Sequence, residues 1–282
     1  MIRKPLLPAI VVALAWSPWV HPQSDSPPAV REIDVFPSRP IGAGSAVVLR
    51  PVGPAATEVI VHFHGGVDAV RRAMERDDGR EMVVVLNMPG LSAAYAAPFR
   101  KDPALFQTLL AAAWTAGSEP DRPPEWERIT LSCFSAGYGA VREILRSPEA
   151  GRIDAVVAAD SIYAGIEAEA PRRRVNVADM DAFLAFARLA AAGERTFLIA
   201  HSAQPTSYAS TTETADYLLD SLGLSRAAAG PAPAERFPAV SRCEREGLQI
   251  VGYSGESADA HLHHLRILER HWQAARRLAR QR

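Results

Sequence analysis

The chain has 282 residues, of which 48% are hydrophobic and 22% charged, a globular composition able to bury one large α/β core or two small ones. The formal net charge of −1 removes any electrostatic case for a nucleic-acid partner. There are two cysteines, Cys133 and Cys243. Cys133 falls at the end of an apolar run where a small buried thiol fits, so the pair is expected to stay unbonded.

The first residues have the pattern of an export signal. Arg3 and Lys4 precede the apolar stretch PLLPAIVVALA, and Ala13 and Ala15 offer small residues for cleavage. The expected organisation is a signal peptide over 1–15, with its end uncertain to about 22, a Pro/Ser-rich linker over 16–30, and a single domain over 31–282. The apolar run is interrupted by Pro8 and Pro18 and is short for a bilayer span, which needs about 20 residues. A secreted or periplasmic location is therefore expected, with no stable membrane span.

Beyond the linker, short runs rich in Val, Ile and Leu alternate with helical patterns. In chain order the predicted strands are Ser45–Arg50, Glu58–His64, Met82–Met88, Arg128–Cys133, Asp154–Asp160, Arg195–Ser202 and Leu248–Ser254. Runs this continuously apolar suit strands buried on both faces of a mostly parallel sheet. Helices are predicted over Pro103–Thr115, Ala136–Arg146, Val177–Ala192, Thr211–Leu222 and Asp259–Arg280. The fold class is therefore α/β, a mostly parallel central sheet flanked by helices in three layers. Asn87–Phe99 reads as a loop with turn chemistry at Pro89-Gly90, and Ser225–Val240 as a surface loop. From Leu262 to the end, six arginines stand against Glu269 alone; a solvated helix face explains them without a partner.

The segment CFSAG, Cys133 to Gly137, follows a predicted strand and opens a predicted helix. It matches the nucleophile elbow G-x-S-x-G with cysteine for the first glycine, and makes Ser135 the candidate nucleophile. HFHGG, His62 to Gly66, ends an earlier strand. Its glycines leave backbone N–H groups free for an oxyanion, with Gly65 or Gly66 and Ala136 as the expected donors. His62 and His64 alone do not make a metal site, because no third ligand is evident. His64, Phe134 and Tyr95 are candidate substrate contacts, and Phe99 could join Tyr95 in an acyl pocket.

These motifs resemble the α/β-hydrolase family of serine esterases, lipases and depolymerases, over most of the chain after about Arg31. The resemblance implies a nucleophile, an acid and a histidine in that chain order. His261, seven residues past Ser254, holds the position of the base, with His264 as the runner-up. Asp160 is the preferred acid, at the end of the strand DAVVAAD, and Glu213 and Asp259 are the alternatives. The implied activity is hydrolysis of a small or polymeric carboxylic ester through Ser135, His261 and Asp160, with no metal or organic cofactor. A serine peptidase, an acyltransferase or an inactive binding protein of the same fold is the alternative.

Overall fold

In the computed structural model of the chain, the described residues are 33–35, 39–53, 56–117, 125–167, 173–230 and 235–281. The expected signal and linker lie outside them. In chain order the elements are β1 (Ile33–Val35), β2 (Arg39–Ile41), β3 (Gly44–Pro51), β4 (Glu58–Phe63), α1 (Val67–Arg76), β5 (Met82–Asn87), α2 (Ser92–Lys101), α3 (Leu105–Gly117), β6 (Arg128–Ser135) and α4 (Tyr138–Arg146). They continue as β7 (Ala155–Ser161), α5 (Val177–Ala191), β8 (Thr196–His201), α6 (Thr211–Leu222), β9 (Ala227–Ala228), β10 (Ala239–Arg245), β11 (Leu248–Tyr253), α7 (Ala258–Arg266) and α8 (Leu268–Arg280).

The strands form one sheet in the order β1-β3-β5-β4-β6-β7-β8-β11-β10-β9, with β2 beside β3. The six from β5 to β11 run parallel, and the flanking strands pair antiparallel. Each parallel strand is buried on both faces, which is why alternation is absent from its sequence. Val59, Val61 and Phe63 of β4 pack with residues of α2 to α6 such as Phe99, Ile144 and Phe183. Ile60 faces the other way, toward Val70 of α1 and Trp272 of α8. The result is a helix–sheet–helix sandwich, the architecture expected from the sequence.

Differences from expectation have local causes. Asn87–Phe99 is not a loop throughout: Ser92–Lys101 is helix α2, because alanines at 93, 94, 96 and 97 outweigh Pro98. The predicted C-terminal helix is two helices, broken at Ile267 with φ −110° and ψ 25°. Helix α1 is an addition, and the loop expected over Ser225–Val240 carries β9 and the start of β10. Three of the arginines near the C-terminus meet acids of this chain. Arg266 pairs with Asp259 at 2.6 Å, Arg270 with Glu235 at 2.7 Å, and Arg276 with Asp77, Asp78 and Glu81. Cys133 on β6 and Cys243 on β10 are both buried free thiols. Four strand spacings part them, roughly 19 Å at about 4.8 Å per strand. No helix of the described residues is long and apolar enough to cross a membrane.

Candidate active site

Strand β6 ends in a reversal built by small residues. Ser135 has φ 48°, a left-handed conformation that costs a non-glycine residue about 1–2 kcal/mol. The Ser161 hydroxyl donates to the Ser135 carbonyl at 2.7 Å and holds the turn. Gly137, the N-cap of α4, lies so close to β4 that a Cβ would collide with the Phe63 carbonyl, and one on Gly139 would strike Ser92 of α2. The two glycines thus let α4 start directly behind Ser135, whose side chain is half-buried at the sheet edge.

Asp160 lies at the end of β7, the strand beside β6, fully buried and with φ 41°. Its carboxylate accepts four hydrogen bonds: Ser202 N–H at 2.8 Å, Ser202 Oγ at 2.7 Å, Thr211 Oγ1 at 2.7 Å and His261 Nδ1 at 2.7 Å. Burial pushes the Asp160 pKa up, but the bonds from His261 and Ser202 and the nearby histidines more than offset it, holding the carboxyl well below the usual carboxylate range. A carboxylate only accepts, so Nδ1 of His261 carries a proton, and in the neutral ring the lone pair is then on Nε2. The His261 ring lies in the first turn of α7, after the last parallel strand, and stacks on Phe134 at 4.5 Å, next to the elbow. Serine, acid and histidine therefore occupy the ends of β6 and β7 and the start of the helix after β11.

This is an α/β-hydrolase fold. The assignment rests on the chain's own strand order and elbow. No family model matches the sequence, and no curated protein does. Among solved structures, the chain is similar to an alpha-beta serine hydrolase homologue from Coxiella burnetii at 15% identity and TM-score 0.46, covering 87% of this chain and 97% of that one. It is similar to carboxyl esterase 2 from the mycorrhizal fungus Tuber melanosporum at 16% identity and TM-score 0.46, covering 92% and 89%. A predicted CIB-like hydrolase from Thermoplasma acidophilum aligns at 10% identity and TM-score 0.48, covering 88% and 100%.

In this α/β-hydrolase fold the turn after β4 approaches the elbow. His64 has φ 69° and its N–H bonds the Leu86 carbonyl at 3.1 Å. Gly65, one of the expected oxyanion donors, has its N–H occupied by Asn87 Oδ1 at 3.1 Å. The expectation for Gly65 is corrected accordingly: its N–H is spent on holding the turn. Gly66 is the N-cap of α1, and the N–H groups of Gly66 and Ala136 make no hydrogen bond among the described residues. Those two remain the candidate donors. Ser135 and His261 make no hydrogen bond with each other.

The candidate substrate contacts divide. Phe134 is buried between His261 and His64, whose ring stacks on it at 6.0 Å. His64 is half-buried at the site, and burial, then the nearby His261, lowers its pKa. Tyr95 is corrected: it is 1% exposed, and its hydroxyl accepts the Met88 N–H at 3.0 Å and reaches His64 Nδ1 at 2.8 Å. It orients His64 from beneath instead of lining a pocket. Phe99 likewise packs inward, edge-on to Phe63.

The alternatives for acid and base have other employment. Glu213 completes a capping box with Ser210 and pairs with Arg173 at 2.5 Å. Ser210 caps α6, and Thr211 turns its hydroxyl to Asp160. Asp259 is paired with Arg266 and Arg236 in the first turn of α7, which Ser257 caps. His264 is fully buried against His271, and burial lowers its pKa to about 4. Sequence reasoning missed Ser202 and the tyrosines Tyr138, Tyr163 and Tyr208, which form a chain of ring contacts at 5.7 and 5.4 Å. Tyr138 and Tyr163 each lie three positions beyond Ser135 and Asp160, a spacing that could have flagged them. An apolar cavity of about 1020 Å³ lies between β3, α2 and α3; Ser135, Asp160 and His261 are not among its lining residues.

Proposed function

We propose that this chain is a serine hydrolase acting on a carboxylic ester. The observation that carries the reading is the Asp160–His261 hydrogen bond, which fixes the imidazole tautomer and leaves Nε2 bare beside the elbow. In this mechanism His261 Nε2 takes the proton of Ser135 Oγ as the oxygen attacks the ester carbonyl. The tetrahedral oxyanion is held by the N–H groups of Ala136 and Gly66, each worth roughly 3–4 kcal/mol in comparable sites. Collapse breaks the ester C–O bond, and His261 returns the proton to the departing alcohol. Water, deprotonated by the same nitrogen, then attacks the acyl-enzyme and releases the acid.

Burst kinetics with p-nitrophenyl acetate and butyrate, beside Ser135→Ala, tests this. Turnover and fluorophosphonate labelling that vanish in Ser135→Ala are expected. Turnover unchanged in Ser135→Ala overturns the serine mechanism, and labelling with peptide but no ester turnover moves the reading to a peptidase. We also propose export through the segment 1–15. N-terminal sequencing of protein recovered outside the cytoplasm checks it, and an intact Met1 there would refute cleavage.

A further inference from the structure

The strongest unassigned feature is a line of buried polar groups running from the last helix to the turn after β4. Trp272 Nε1 of α8 lies 3.0 Å from Ser132 Oγ of β6. Ser132 Oγ lies 2.9 Å from His62 Nδ1 of β4, and His62 Nε2 lies 3.0 Å from the His64 carbonyl oxygen. His62 and Ser132 are fully buried and Trp272 is 1% exposed.

Only one arrangement of protons satisfies every group in a neutral line. The indole N–H can only donate, so Ser132 Oγ accepts from Trp272 and has its own single proton to place. His62 Nδ1 takes that proton as acceptor. His62 is then protonated on Nε2, which donates to the carbonyl of His64; the opposite tautomer would set two lone pairs against each other there. Burial, the leading cause, lowers the His62 pKa to about 3, so the ring stays neutral at ordinary pH.

What this line holds is one peptide plane. The carbonyl of the His64–Gly65 peptide accepts from His62, and the N–H of the same peptide donates to Asn87 Oδ1 at 3.1 Å. Gly65 has φ 137°, so its backbone alone offers little resistance to a peptide flip. The next N–H along the chain is that of Gly66.

We propose that His62 is a positioning residue for the oxyanion site, clamping the His64–Gly65 peptide through the Trp272–Ser132–His62 relay. The inference rests on the ester-hydrolase reading above, with Gly66 as a donor. The relay also ties α8 to the loop, so the C-terminal helices position both the base and the oxyanion donor.

The test uses the mature protein carrying His62→Phe, Ser132→Ala or Trp272→Phe, with Ser132→Thr as the variant that keeps the hydroxyl. With p-nitrophenyl butyrate, kcat is expected to fall about tenfold or more with KM within about twofold, as for a lost transition-state contact. Ser132→Thr should recover most of kcat. Nitrogen-15 NMR of the wild-type imidazoles should find His62 neutral and protonated on Nε2 at pH about 5, below the ordinary histidine value. A folded Ser132→Ala with wild-type kcat, or a His62 protonated on Nδ1, overturns the proposal. Should the wild type itself fail to turn over esters or label with fluorophosphonate, the hydrolase reading falls instead, and the clamp is still decided by the NMR tautomer.

Discussion

Asp160 Oδ2 lies 2.7 Å from His261 Nδ1, although 101 positions separate the two residues. The same carboxylate holds the first residue past β8 and the start of α6 through Ser202 and Thr211. Asp160→Asn is compatible with the local backbone, because asparagine tolerates φ 41° better than most residues. It presents an amide N–H where an acceptor is required, and disturbs the tautomer of His261. A loss of kcat on the order of 10³–10⁴-fold is expected from steady-state ester hydrolysis. Retention of more than a tenth of the activity would remove Asp160 from the mechanism.

Two glycines at the site should respond in opposite ways. Gly137→Ala forces a Cβ onto the Phe63 backbone, which cannot move without shifting β4. A destabilisation of about 2–3 kcal/mol is expected from urea titration. Gly66 has φ −62° and open space around its Cβ position. Gly66→Ala keeps the N–H and should stay within about 0.5 kcal/mol of the wild type, with hydrolysis retained.

Stability should fall on mild acidification, before the carboxylates titrate. Burial holds His62 at about 3 and His264 at about 4, both below the ordinary histidine value of 6.5. As pH drops below 6.5 the unfolded chain takes up these protons first, so the unfolded state gains. The contribution is complete above the unfolded value and is lost as pH falls toward the folded ones. Each histidine adds a slope of up to about 1.4 kcal/mol per pH unit in that window. Asp160, shifted downward, adds its own loss only below about pH 4. Denaturant titrations from pH about 7.5 to 4.5 measure the slope, and His264→Gln should flatten it.

Tyr95→Phe removes a hydroxyl that serves the Met88 N–H and the His64 ring together. The buried N–H left behind should cost about 1–3 kcal/mol by thermal or chemical denaturation. Loss of stability with little change in KM would mark Tyr95 as a support for His64. A large change in KM alone would return it to the acyl pocket.

The sequence by itself determined the layers and the order of the site. Short, continuous Val/Ile/Leu runs suit strands covered on both faces, and the small residues around Ser135 permit a turn that few other sequences accept. That reasoning singled out Ser135, His261 and Asp160 because each sits at a strand end or helix start that local chemistry marks, and the fold brings the last two within a hydrogen bond of each other. It read α2 as a loop, since Pro89-Gly90 and Pro98 obscure the helix formers between them. It placed Tyr95 in a pocket and left Gly65 as a donor, since neither the inward face of α2 nor the reach of Asn87 Oδ1 is encoded locally. Which hydroxyl satisfies Asp160, which glycine N–H stays open and how Trp272 meets His62 were decided only by the tertiary structure. Hydrogen-bond partners for buried groups come from strands and helices remote in the chain, and packing alone brings them within 3 Å of one another.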